Sequence, residues 1–111
     1  MVKINISKDF NDVLGGRYRT DGKFSGEEFY EDILKMKFQE ALDKNETLEI
    51  NLDGTFGYPS SFIDQSFGTL GREFGEEIVQ KHLSFITDDQ PELEDKIRGY
   101  IKRGSANEKN N

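Results

Sequence analysis

The chain has 111 residues, enough for one domain with a single modest core; 33% of them are hydrophobic and 33% charged. A formal charge of −7 argues against a nucleic-acid binder, and equally against an anionic membrane surface, because both need clustered Lys and Arg. The lack of cysteine excludes disulfides, Cys–zinc sites and thiol chemistry, and fits a reducing compartment.

The N-terminal "MVKINIS" reads as a strand: Val2, Ile4 and Ile6 alternate with Lys3, Asn5 and Ser7. It lacks the apolar core of a signal peptide, and no apolar run approaches the roughly 20 residues of a spanning helix. A cytoplasmic domain is therefore expected. The segment through Gly22 holds Gly15, Gly16 and Asp21-Gly22 and reads as a loop or short hairpin, with "RYR" as a brief strand. Ser25 then precedes Glu28 in a capping box, and Glu27, Glu28, Glu31 and Asp32 put negative charge at the start of a helix. The apolar residues of this helix fall on two neighbouring faces: Phe29, Ile33 and Met36, then Tyr30, Leu34, Phe38, Ala41 and Leu42. That arc is wider than a surface helix buries, which predicts a break or kink near Lys35–Lys37, or packing on two sides.

Leu48, Ile50 and Leu52 alternate with Glu49, Asn51 and Asp53 as a second half-buried strand, so helices are expected mainly on one face of the sheet. Beyond the loop "GTFGYP", Ile63, Phe67, Leu70 and Phe74 form the buried stripe of a helix kept slim by Ser66, Gly68 and Gly71. Two glycines inside a helix cost about 1 kcal/mol each relative to alanine, which close approach to a neighbour can offset. "KHLSFITDD" is a third strand, and "DDQPELEDKIRGYIKR" a terminal helix with Pro91 in its first turn and Leu93, Ile97, Tyr100 and Ile101 buried. Nine phenylalanines point to an aromatic-rich core. Residues 104–111, "GSANEKNN", read as a disordered tail, leaving one domain over residues 1–103.

This order of elements, with "GGRY", "FSGEEF" and above all "LDGTFGYPSSFIDQSFGTL", resembles the STAS domain of sulphate transporters and anti-sigma-factor antagonists. More closely it resembles the STAS-like family of unknown function found in bacteria, archaea and phages. The resemblance runs from Val2 to about Lys102. It implies an α/β fold, with a mixed sheet of about four strands and helices packed mainly on one face. Anti-sigma-factor antagonists carry a phosphorylatable serine at the mouth of the corresponding helix, in an Asp-Ser-Ser/Thr-Gly setting. Counted from Leu52, the resemblance puts Ser60 at that position and Ser61 next to it. Here Pro59 replaces the preceding acid and Phe62 the glycine, so a kinase that needs either residue would not accept the site.

From the residues themselves, Ser60 and Ser61 read first as helix caps, with Ser61 and Asp64 forming a second capping box. The sharper alternative is an anion or phosphate site at the positive end of the helix. A serine nucleophile lacks a base: the only histidine is His82, at a strand start with no partnering motif, and no G-x-S-x-G elbow exists. Asp53, Asp88 and Asp89 at strand ends, with Asp9, could gather around magnesium; aspartates are also ordinary turn residues. "GGRYRTDG" matches no phosphate-binding loop, and Arg17 and Arg19 remain candidates for anion or partner contact. Phe56, Tyr58 and Phe62 form either an exposed interaction patch or part of the core.

The expected function is a non-enzymatic, STAS-like regulatory module with no catalytic residue, metal or cofactor. It binds a protein partner through Thr55, Phe56, Tyr58, Pro59, Ser60, Ser61 and Phe62, with Arg17 and Arg19 contributing. By resemblance that partner is a kinase-like ATPase or another regulator, phosphate on Ser60 is a possible gate, and the module is a monomer or weak homodimer. The alternative is a ligand- or metal-dependent enzyme that uses Asp53, Asp88 and the helix mouth.

Overall fold

A computed structural model describes residues 1–109 of the chain. Three strands, β1 (Val2–Asn5), β2 (Leu48–Asn51) and β3 (Leu83–Ile86), form one parallel sheet in that order. Val2 pairs with Leu48 and Leu48 with Leu83, so apolar residues align across one face; Lys3, Glu49 and Ser84 align across the other. The one-sided covering expected from strict alternation is thus present. The sheet is wholly parallel and has three strands rather than about four.

The missing strand is "RYR". Residues Arg19–Asp21 form a 3₁₀ turn instead. The Asp21 carboxylate accepts the Tyr18 N–H at 2.8 Å, and Glu27 accepts the Arg19 N–H at 2.9 Å. Side chains therefore take the backbone donors that a ladder would have used.

After a short turn α1 (Ile6–Asp9), helix α2 covers residues 26–43. It is α-helical over Gly26–Phe29, π-helical over Tyr30–Leu34 and α-helical again over Lys35–Asp43. The break expected near Lys35–Lys37 does not occur: the helix runs on through those residues, and its irregularity is the π turn that ends just before them. An i→i+5 turn inserts one residue, which merges the two apolar stripes: Phe29, Tyr30, Leu34, Phe38 and Ala41 are all buried, while Met36 is exposed. Ser25 caps the helix, accepting the Glu28 N–H at 3.0 Å. The Glu28 carboxylate reaches back to the Phe24 N–H rather than to that of Ser25 itself.

Helix α3 covers residues 60–74 with the same device: α-helical over Ser60–Ile63, π-helical over Asp64–Gly68 and α-helical over Thr69–Phe74. The Ser66 hydroxyl donates to the Phe62 carbonyl at 2.7 Å within that wide turn. Gly75 then separates a short helix α4 (Glu76–Lys81), which precedes β3 and was not distinguished from the sequence. His82 ends α4 with Nδ1 2.9 Å from the Ile78 carbonyl.

The terminal helix α5 (Leu93–Lys109) begins two residues after Pro91, which lies in the preceding turn. It packs against α3, and residues 104–109, expected to be disordered, continue it. Gly104 and Ser105 are buried because Gly104 meets the backbone of Gly68, where a Cβ would lie closer than 3.0 Å to the Gly68 carbonyl. Asn110 and Asn111, the end of that expected tail, lie outside the described residues.

The core is one cluster, and its aromatic share is large, as nine phenylalanines predicted. Phe10, Phe29, Phe62 and Phe67 meet ring to ring where α1, α2 and α3 converge, and Phe67 continues to Phe85 on β3.

Candidate functional site

The carboxyl end of β2 leads into the loop Asp53–Pro59 and then α3. The loop is braced on two sides. Both carboxylate oxygens of Asp53 accept backbone N–H groups of the segment after β3, from Asp88 at 3.2 Å and Asp89 at 3.0 Å. In return Asp89 accepts the Gly54 N–H at 3.3 Å. On the other side the Phe56 N–H donates to the Asp12 carbonyl at 2.9 Å, tying the loop to the segment after β1. Asp53 and Asp89 therefore act as loop braces. Among the described residues no group of three or more His, Cys, Asp or Glu side chains is arranged to hold a metal ion.

The aromatic trio divides. Phe56 stands 83% exposed at the loop tip, whereas Tyr58 is buried and Phe62 is 0% exposed. Tyr58 donates its hydroxyl to the Leu52 carbonyl at 2.8 Å, and burial pushes its phenol well above its ordinary value. Phe62 stacks on Phe29, with ring centroids 5.6 Å apart. Of the two readings open for Phe62, surface patch or core, the structure shows the core. Phe62 and Phe67 are five residues apart and share a face.

The serines are not caps. Pro59, at φ −57° and ψ 140°, occupies the N-cap position without a side-chain acceptor, and Ser60 and Ser61 are the first helical residues. Proline supplies the extended entry geometry, so the helix begins directly after it. Ser60 is exposed and Ser61 half-buried. The Ser60 hydroxyl lies by Tyr100 on α5, and together with Arg103 it draws the Tyr100 phenol below its ordinary range. The Arg103 guanidinium sits 4.4 Å from the centre of the Tyr100 ring, so a cation stands close to the mouth of α3.

Arg17 is brought to α3, its guanidinium 2.6 Å from the Asp64 carboxylate; Asp64 thus serves this pair instead of a capping box. Arg19 points elsewhere, pairing with Glu31 at 3.1 Å and Asp32 at 2.9 Å on α2. The segment around Arg17 also ties to the start of α2: Gly16 and Arg17 carbonyls accept the Gly26 and Glu27 N–H groups at 2.9 and 3.0 Å. Gly26 in turn lies against the Phe62 backbone, where a Cβ would collide with its carbonyl. "GGRY", "FSGEEF" and "SSFID" thus meet at one node that holds the mouth of α3 in place. Its one missed member is Asp64, whose signal was masked by a spacing that suggested a cap.

An apolar groove of about 310 Å³ runs beside the loop, lined by Val13, Leu14, Phe56, Gly57, Tyr58 and Pro59. Val13 and Leu14 had no signal in the sequence beyond being a short apolar pair ahead of Gly15-Gly16. No helix among the described residues is long and apolar enough to cross a membrane.

Compared with known proteins, residues 25–92 match the family described as a STAS-like domain of unknown function (DUF4325). The match takes in α2, β2, the braced loop, α3, α4 and β3, and leaves "GGRY" outside it. No curated protein and no solved structure matches the chain.

Proposed function

Because the chain belongs to the STAS-like domain family of unknown function, we propose that it is a non-enzymatic interaction module whose braced loop and α3 mouth bind a regulatory protein. The observation that carries this reading is Phe56. A large apolar side chain is held in water by a loop fastened on both sides, so its exposure is enforced and costs the partner little ordering on binding. Thr55, Pro59, Ser60 and Ser61 flank it. Tyr58 and Phe62 support the surface from beneath, and Arg17 sets α3 through Asp64. The partner class that the family resemblance suggests is a kinase-like ATPase or another regulator, met by a monomer or weak homodimer.

Phosphorylation of Ser60 is the regulatory part of the proposal. Its hydroxyl is exposed at the first helical position of α3, where unpaired N–H groups favour negative charge, and Arg103 stands near. A phosphate there would change the charge of the partner-facing edge.

The test is capture of partners from the native host by the full chain, followed by binding to variants. Phe56→Ala and Ser60→Asp are expected to weaken binding about tenfold or more, and Ser60→Ala to preserve it. Equal binding by the two Ser60 variants overturns the phosphate gate. Partners indifferent to every substitution in residues 54–61 overturn the interaction reading.

A further inference from the structure

The groove beside the loop has a chemical character that narrows its occupant. Its floor and walls are apolar, from Val13, Leu14, Phe56 and Pro59, with Val13 and Phe56 both strongly exposed. Its surroundings are acidic. Asp9 and Asp12, both exposed, lie on the segment that walls one side, and the Asp12 carbonyl accepts the Phe56 N–H, which sets Asp12 beside the groove. On the other side Tyr58 lines both the groove and a small cleft shared with Asp53 and Asp89, with Asp88 adjacent and exposed. Across residues 7–14, 53–59 and 87–90 these five aspartates face a single cation, Lys8. Among the described residues none of the five has a cationic group within 4.0 Å, unlike Glu31, Asp32, Asp64, Glu73 and Glu94 elsewhere on the surface.

Resting on the reading of this edge as a partner surface, we propose that the groove docks a basic segment of that partner. An arginine or lysine lays its aliphatic stem along Val13, Leu14 and Pro59. Its charged head lies over the Phe56 ring and toward the aspartates. Long basic side chains combine an apolar stem with a cation, and a cation within about 6 Å of an exposed ring gains further from its face. The acidic rim also steers such a segment during approach. A second copy of this chain fits poorly, because it would set the same five carboxylates against themselves. Nucleic acid is disfavoured for the same reason.

The experiment titrates the isotope-labelled full chain with two short synthetic peptides, one alternating arginine with leucine, the other with glutamate replacing every arginine. The basic peptide is expected to shift the amides of residues 12–14 and 55–58 first, and the acidic one to leave them unmoved. Phe56→Ala is expected to weaken the basic peptide about tenfold or more, and Phe56→Tyr to restore most of the affinity. Asp12→Asn and Asp88→Asn should each weaken it by about two- to fivefold and flatten its salt dependence. The proposal is overturned if the acidic peptide binds as well, or if the shifts fall elsewhere or do not occur. Shifts at the groove that grow with protein concentration alone, without peptide, also overturn it in favour of a second copy. If a captured native partner needs Phe56 yet binds independently of salt through a neutral or acidic segment, the basic-segment inference falls while the interaction reading stands. If captured partners ignore residues 54–61, the interaction reading falls first.

Discussion

The two ends of α3 are built to opposite ends. At its start, Pro59 opens the helix, Ser60 is left in water, and the loop before it holds Phe56 away from the core. At its far end, Gly68 and Gly71 let α5 approach until backbone meets backbone at Gly104 and Ile101. There, too, the Glu73 carboxylate accepts the Tyr30 hydroxyl and lies 3.3 Å from the Lys35 ammonium, pinning α3 to α2. One helix thus has a sealed end that carries stability and an open end with groups to spare for binding. Aromatic and glycine residues occur at both, and only their surroundings distinguish the roles.

The contrast breaks first at the two phenylalanines of the open end. Phe62→Ala removes a fully buried ring stacked on Phe29 and should cost about 3–5 kcal/mol in denaturant unfolding. Phe56→Ala should stay within about 0.5 kcal/mol of the parent, since its ring is already in water. Equal costs would show that the loop tip is part of the core after all. At the sealed end, Gly104→Ala forces α5 away from Gly68 and should cost about 1–3 kcal/mol, read as a lower midpoint with an unchanged slope. An unaffected midpoint there would mean that residues 104–109 contribute nothing to the fold.

The smallest effect concerns pH. The Tyr30 hydroxyl, and then Lys35, hold the Glu73 carboxyl below its ordinary value. Its contribution is therefore complete above the ordinary glutamate pKa and is lost as pH falls through the depressed folded value. Because the side chain is 43% exposed, the effect is modest. Glu73→Gln should lower Tm at neutral pH and reduce the further loss on acidification by roughly 1–4 °C. Parallel melting curves for parent and variant across the acid range would remove this pair from the account of the sealed end.

Much of the fold was legible because it follows from local period. Alternation located all three strands, the Ser25 cap located the start of α2, and the i, i+4, i+7 stripe located α3. The slim face of α3 also pointed to a close neighbour before that neighbour could be identified. The site was less legible. The proline before the serines decided the helix start more strongly than the hydroxyls did, and "GSANEK" looked like a tail because small residues carry no apolar signal when they pack by backbone contact.

What the sequence determined by itself is what depends on neighbours along the chain: strand alternation, helix starts, the acidic balance and the family pattern over residues 25–92. What only the tertiary structure decided is what depends on a register several turns long or on a second element. Each π turn adds one residue to its helix and so shifts the register between the side chains before and after it; that shift sets Phe62 and Phe67 on one buried face of α3, merges the two faces of α2 and leaves Met36 outside. Phe56 and Phe62 are the same residue type six positions apart. The fastened loop holds one in solvent and the packing of α3 on α2 seats the other in the core against Phe29, and no local pattern separates the two.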